Sequence, residues 1–406
     1  MSIARLHRPL VGLLVALVPS LALAQEPTGL TRARVIELAR ESSPSVRLAG
    51  AAVEEERADL IGARIFARDN PVLEAVAGPR WADETAIDLE ATLAIPIELG
   101  GKRRKRVAAA QASIDRATAA VVVDEQEAIA RALRAYYEAL HAQERLALAN
   151  ERKKLADQLL DAANSRLAAG DVAELEVNLA ATEVARAESE ALAEAAEVER
   201  ARGELAITLG LDSPDEALVH GALGDRTAFD AVQPSERADI AAARVAVDEE
   251  EAAVVSADAA RFPDFNFRVT YAREDGGTDI LLAGIAVTLP LFDRGQGERA
   301  SARARVRRAE LELQLTEEVV ATEVEVATRA YRNSVAAVVK LEEDALPLVV
   351  RNEELSVTAY TSGKADVGTV ILVRREALET RREYLDRQLE AALAGVELSR
   401  ALGALP

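Results

Sequence analysis

Apolar and polar residues alternate along two pairs of short segments, and each pair lies between long helical stretches. In 87–97 the odd-numbered residues are all apolar, and segments 265–272 and 281–291 alternate in the same way. Alternation with a period of two over about ten residues indicates a strand with one apolar face. The sequence therefore predicts two β-hairpins, at 72–97 and 264–291.

Helical stretches occupy most of the remaining chain. Residues 102–168 contain neither proline nor glycine, which predicts one helix about 100 Å long at the usual rise per residue. Gly170 and Gly363 interrupt the helical pattern and predict chain reversals, whereas Pro347 lies inside a helix. The predicted helices span 31–68, interrupted near its start by Pro44, and 102–168, 172–209, 236–261, 297–362 and 366–403.

Heptad spacing predicts that these helices pack as coiled coils. The apolar residues of 172–209 recur at alternating steps of four and three, a spacing typical of left-handed supercoils. Helix 366–403 carries two adjoining apolar seams, which predicts that it packs between two neighbours. An ordinary antiparallel bundle is the alternative. The seam of 172–209 is interrupted by Glu188 and Arg202 and otherwise consists of Val177, Ala181, Val184, Ala191, Ala195, Val198, Leu205 and Leu209.

The two halves of the chain share one pattern. Tyr137 corresponds to Tyr331 and Gly170 to Gly363, and the proline that ends one hairpin is matched by Pro290 in the other. A repeat unit this long indicates an internal duplication rather than a solenoid. We expect a first repeat at 25–209, a linker at 210–235 and a second repeat at 236–406.

The N-terminus predicts export from the cytoplasm. Arg5 and Arg8 precede a short apolar stretch, and Ala22-Leu23-Ala24 provides a small-residue cleavage site, so residues 1–24 are predicted to be a secretory signal peptide. Without them, 47 basic and 69 acidic residues remain, a net charge of −22. Such an acidic exported chain is poorly suited to binding nucleic acid.

The sequence contains no recognisable catalytic or metal-binding motif. The sequence has no cysteine, which excludes disulfides, thiolate metal sites and a lipid anchor on an N-terminal cysteine. Beyond the predicted signal peptide the only histidines are His141 and His220, and no cluster has metal-ligand spacing. We therefore expect neither an enzyme nor a protein with a cofactor or resident metal.

The outermost strands of a sheet in a membrane need hydrogen-bonding partners for their backbone groups. A soluble hairpin covered by helices is the alternative for either pair, but strands of about ten residues can also span a bilayer. Lipid permits no open sheet edge, so four strands per chain would have to be pooled, eight from a dimer or twelve from a trimer. Twelve strands leave a lumen, which the polar alternation favours.

The strand exits carry a family resemblance. The sequences Ile-Pro-Ile-Glu-Leu-Gly-Gly at 95–101 and Leu-Pro-Leu-Phe-Asp-Arg-Gly-Gln-Gly at 289–297, within a duplicated helix–hairpin–helix pattern, resemble the TolC-type outer-membrane efflux proteins. Asn70-Pro71-Val-Leu is similar to the heavy-metal and cation branch of that family. The resemblance implies an α+β membrane protein of the Gram-negative outer membrane, extending into the periplasm.

The resemblance also implies an assembly and a function. Three chains would share a 12-stranded β-barrel and a long coiled-coil α-helical barrel. This homotrimer would be the passive outer-membrane channel of a tripartite efflux system, coupled to an inner-membrane pump through a periplasmic adaptor. A secretion duct of the same architecture, resembling type I systems, and a periplasmic coiled-coil scaffold are the alternatives.

Candidate functional residues follow from these expectations. Acidic residues are expected to line the conduit or its gate, at Asp88, Glu90 and Glu176, and Thr369 is the position that matches Glu176 in the second copy. Basic residues open both long helices, at 102–106 and 299–308, and predict either contact with lipid phosphates or a solvated basic face. The helix breaks are the predicted adaptor contacts: Arg166, Leu167, Gly170, Asp171, Tyr360, Ser362, Gly363 and Lys364.

Overall fold

The computed structural model describes residues 29–81, 85–224, 237–274 and 277–405. The predicted signal peptide, the tip of the first hairpin and much of the linker therefore lie outside the described residues. The helices are α1 Arg32–Ser42, α2 Pro44–Ala63, α3 Lys102–Ala169, α4 Glu174–Leu209, α5 Ala238–Ala257, α6 Gln296–Lys340, α7 Leu346–Thr361 and α8 Val367–Ala401. The strands are β1 Val72–Trp81, β2 Thr85–Ile97, β3 Phe265–Glu274 and β4 Thr278–Val287.

The second long helix differs from the prediction. It is divided into α6 and α7 by a five-residue π-helical turn, Leu341–Ala345, that ends two residues before Pro347. Proline has no N–H to donate and its ring clashes with the carbonyl four residues earlier, so a wider turn accommodates it without ending the helix. The first copy has no proline here, and α3 continues unbroken for 68 residues.

One antiparallel sheet joins the two halves of the chain. Its order is β1-β2-β3-β4, and β2 pairs with β3 from Leu89↔Arg273 to Ile97↔Phe265. The prediction that the last strand reaches residue 291 is wrong. β4 ends at Val287, which is paired with Phe265, the first residue of β3. The alternation continues to 291, but no partner strand remains there.

Helix α8 lies against α3 and against α6 and α7, the two parts of the second long helix. It therefore packs between two neighbours, as its two seams predict. The main core contains Leu133 and Tyr136 of α3 together with Leu205 and Leu209 of α4. None of the described helices is apolar over a length sufficient to cross a bilayer.

The predicted seam of α4 is partly wrong. Val198, Leu205 and Leu209 are buried, but Ala181 is exposed. The positions buried beside Val198 and Leu205 lie one residue earlier than predicted, at Ala180, Ala187, Glu194 and Ala201. Steps of three and four are both compatible with one helix face, and the three alanines among the earlier positions allow close approach of the neighbouring helix.

Candidate functional site

One face of the sheet is apolar and uncovered. Paired residues on neighbouring strands point to the same side, so the odd-numbered residues of all four strands share a face. The side chains there include Leu73 and Leu281, each 73% exposed, with Ile87 and Ile285 nearly as open. An uncovered apolar surface of this extent marks contact with a membrane or a partner.

The opposite face carries most of the charged and hydroxyl-bearing residues of the sheet together with small and aliphatic ones, and we call it the polar face. Asp88 and Glu90, two of the predicted conduit residues, lie there with Glu74. In the middle of this face the hydroxyls of Thr92 and Thr270 are hydrogen-bonded at 2.8 Å. The structure therefore places both acids on the side away from the apolar surface.

The first helix break forms a compact reversal at the far end of α3. Gly170 has φ of 82°, and its N–H donates to the carbonyl of Leu167 at 2.9 Å. The N–H of Asp171 donates to the carbonyl of Arg166, also at 2.9 Å. These two bonds satisfy carbonyls that the helix end would leave unpaired, and glycine adopts the left-handed conformation they require.

The second break repeats this geometry. Gly363 has φ of 73° and donates to Tyr360, and Lys364 donates to the carbonyl of Ala359 at 2.8 Å. The hydroxyl of Ser362 donates to the carbonyl of Thr358. We name the two reversals the first tip, residues 166–173, and the second tip, residues 359–366.

The tips contact each other. The guanidinium carbon of Arg166 lies 4.6 Å from the ring centroid of Tyr360. Tyr360 is only 3% exposed and packs with Leu159, Val367 and Val370. Of the predicted contact residues, Tyr360 is therefore inside the helix pack, whereas Leu167, Gly170, Asp171, Ser362, Gly363 and Lys364 are on the surface.

The acids near the tips are not arranged alike. Glu176 lies half-buried in the first turn of α4. Its counterpart Thr369 donates both its N–H and its hydroxyl to Asp366, at 2.7 and 3.0 Å. These bonds, the backbone one first, lower the pKa of Asp366 from its ordinary value. The sequence prediction missed Asp366, although an aspartate three residues before a helical threonine is a recognisable N-cap.

A charged layer between the tips and the core was also missed. Arg152 of α3 contacts Glu183 and Glu190 of α4, and Arg145 donates to Glu194 at 2.7 Å. Further contacts reach α8, where His141 and Arg145 both approach Asp386. Within the described ranges, no group of three or more histidine, aspartate or glutamate side chains is placed to hold a metal ion.

Comparison with known proteins identifies the family. The sequence profile of the outer membrane efflux proteins matches residues 35–211 and 234–404, which together are most of the chain. The chain belongs to the outer membrane efflux protein family. It is thus an outer-membrane protein of efflux systems and not an enzyme.

Individual relatives match this efflux protein over nearly its whole length. The cobalt-zinc-cadmium resistance protein CzcC of Cupriavidus metallidurans is 28% identical over 421 residues, covering 98% of this chain and 99% of the relative. The CmeC outer membrane channel of Campylobacter jejuni has a TM-score of 0.75 at 17% identity, with coverage of 92% and 85%. The MtrE outer membrane channel of Neisseria gonorrhoeae has a TM-score of 0.74 at 20% identity, with coverage of 92% and 89%.

Proposed function

We propose that three copies of this chain form a trimer and close a 12-stranded barrel in the outer membrane. The observation that carries this proposal is the four-stranded sheet, which has β1 and β4 at its two ends and a bare apolar face. Pairing β1 of one copy with β4 of the next satisfies both edges, and three copies give a barrel wide enough for a lumen. The apolar face then meets lipid and the polar face meets water.

Crosslinking tests the trimer. The natural sequence has no cysteine, so Val76→Cys in β1 and Leu282→Cys in β4 can be introduced together and joined with a flexible bis-maleimide. Pairing of β1 with β4 gives covalent trimers from the double variant and only monomers from either single variant. Dimers from Val76→Cys alone would indicate pairing of β1 with β1, which contradicts the proposed closure.

We propose that the assembled channel conducts metal cations delivered by an inner-membrane pump through a periplasmic adaptor. One relative, CzcC, is named a cobalt-zinc-cadmium resistance protein, which supports metal cations as the cargo. The acids of the polar face would concentrate cations in the lumen. Deleting the gene should sensitise cells to these cations more than to organic drugs. Greater sensitivity to drugs alone would reject metals as the cargo.

Reversal potentials test the role of the polar face. In planar bilayers under a KCl gradient, neutralising Asp88→Asn and Glu90→Gln should reduce the preference for cations. Asp279→Asn is the matched control, because Asp279 belongs to the same sheet but lies on the apolar face. There its carboxylate accepts a hydrogen bond from the Tyr271 hydroxyl at 2.8 Å. An anion-selective wild-type channel, or equal effects of both changes, would refute the lumen assignment.

We propose that the adaptor docks on the exposed residues of the two tips, with Arg166 and Tyr360 holding the tips in register. Asp171→Lys and Lys364→Glu reverse surface charge without altering either glycine. Both should weaken binding of the cognate adaptor while leaving assembly and conductance intact. Unchanged adaptor affinity in both variants would place the contact elsewhere.

A further inference from the structure

Four segments connect the sheet to the helices, and all lie at one end of the sheet. The strands are antiparallel, so β1 and β3 begin at the end where β2 and β4 finish. We define the junction as these connecting segments and the start of α3, residues 64–71, 98–106, 258–264 and 288–295. The junction therefore surrounds the helix-side boundary of the apolar face.

Most acids of the junction are already engaged by neighbouring groups. Glu98 accepts from Arg106 at 3.0 Å, and Asp264 accepts from Lys102 at 2.6 Å. Asp258 lies 3.8 Å from Arg299, and Asp293 accepts the backbone N–H of Gly295 at 2.8 Å. These acids are therefore held by partners within the protein.

Part of the basic cluster also has an internal role. Arg103 donates to the carbonyl of Arg64, and Arg106 donates to those of Ala63 and Ile65. These carbonyls belong to the C-terminal end of α2 and the residues after it, where positive charge is favourable. Together with the pair of Lys102 and Asp264, these contacts account for three of the five cations that open α3 and leave Arg104 and Lys105 unexplained.

The remaining cations have no acidic partner among the described residues. Two of them lie in the first turn of α3, where the helix dipole disfavours positive charge. All are exposed except Lys105, which is half-buried. A concentration of unpaired cations is unexpected in a chain with a net charge of −20. The set consists of Arg64, Arg68, Arg104, Lys105, Arg261 and Arg294.

Aromatic and aliphatic side chains lie among these cations. The Lys105 nitrogen and the Arg261 guanidinium carbon lie 5.6 and 5.1 Å from the centroid of the Phe262 ring. Phe66 is 72% exposed and Phe292 is 93% exposed. Girdles of aromatic residues flank the apolar band of outer-membrane barrels, and lysine and arginine near the membrane surface attract anionic headgroups.

We propose that the junction binds the phosphate groups of anionic phospholipids in the leaflet nearest the helices. This rests on the proposed orientation of the sheet, with its apolar face in lipid. Acyl chains cover that face, the rings of Phe66 and Phe292 enter the headgroup region, and the unpaired cations begin where the apolar face ends. Clustered cations at this depth attract anionic headgroups.

Thermal unfolding with added lipid tests the site. Circular dichroism of the intact, detergent-solubilised protein gives Tm while phosphatidylglycerol or phosphatidylcholine is titrated into the micelles. Ligand that binds only the folded protein raises Tm with concentration. The test variant combines Arg64→Gln, Lys105→Gln and Arg261→Gln. The control combines Arg47→Gln, Arg186→Gln and Arg332→Gln, which are exposed helical arginines outside the junction and without ion pairs in the described structure.

Phosphatidylglycerol should raise the Tm of the wild type and the control, and phosphatidylcholine should not. In the test variant the affinity for phosphatidylglycerol should fall on the order of 100-fold, since three cations are lost. An equal response to both lipids, or an unchanged response of the test variant, would overturn the proposal. A matching response to inorganic phosphate alone would overturn the assignment to lipid.

The same preparations separate this proposal from the channel function. A wild-type protein that conducts in planar bilayers but shows no preference for phosphatidylglycerol refutes the lipid site alone. A protein that binds phosphatidylglycerol selectively but does not conduct refutes the channel and leaves the lipid site standing.

Discussion

Glu194 offers the sharpest test of how the helices hold together. It lies on the inner face of α4 at 9% exposure, and its carboxylate accepts from Arg145 at 2.7 Å. Six residues earlier on the same helix, Glu188 pairs with Lys153 at 3.1 Å, but its side chain is 51% exposed. Glu194→Gln and Glu188→Gln are thus the same chemical change in two environments.

The structure sets the size of the expected difference. Losing one partner of a fully buried ion pair costs about 3–5 kcal/mol, because the other charge is left without a partner. Arg145 keeps Asp386 at 3.6 Å and is partly solvated, so we expect about 1–3 kcal/mol for Glu194→Gln. The exposed pair of Glu188 should contribute less than about 0.5 kcal/mol.

Thermal unfolding followed at 222 nm measures both variants. An unfolding entropy of about 2.1 cal/mol/K per residue converts the loss at Glu194 into a fall in Tm of about 1–4 °C. Adding Arg145→Gln completes a double-mutant cycle, which isolates the pairwise coupling. Equal losses for the two glutamates, or a coupling near zero, would refute the conclusion that burial strengthens this contact.

Three further predictions concern the core and the second tip. Leu205→Asp places a charge at a position with 0% exposure and should cost about 3–5 kcal/mol, measured as a fall in Tm by circular dichroism. Asp366→Ala should lower the protection factor of the Thr369 amide, which is the ratio of its intrinsic hydrogen-exchange rate at the same pH to the observed rate, and acid should do the same in the wild type: the lowered pKa of Asp366 gives stability that is present above the unfolded pKa and lost as pH falls through the folded one. Gly363→Ala should lower Tm by forcing alanine to positive φ, whereas Gly297→Ala, inside α6 with open space around it, should raise it.

The hairpins and the duplication could be predicted because their signals are local. Alternation of apolar residues determines which face each residue of β2 and β3 occupies, and glycine is the residue that tolerates the positive φ at both tips. The end of β4 could not be predicted in this way. Its last residues alternate like a strand, but strand length also depends on where β3 begins, which is set elsewhere in the chain.

The face of α4 was harder to predict than its existence. Steps of three and four counted back from Val198 reach Ala195 and Ala191, so the predicted seam passes beside Glu194 rather than through it. In the structure Glu194 is buried because Arg145, 49 residues away, meets its charge. Pairings between distant residues determine which of two neighbouring helix faces is inside, and a single helix pattern contains no information about them.

The basic residues of the chain have different surroundings in different parts of the fold. In the helix pack, arginines such as Arg145 and Arg152 lie against glutamates of α4, so much of the basic complement is neutralised between helices. At the junction, Arg261 and Lys105 instead contact the ring of Phe262. The junction is therefore a basic region in a protein whose net charge is negative. Composition alone would predict repulsion from an anionic membrane, whereas the fold places cations where the proposed apolar barrel wall ends.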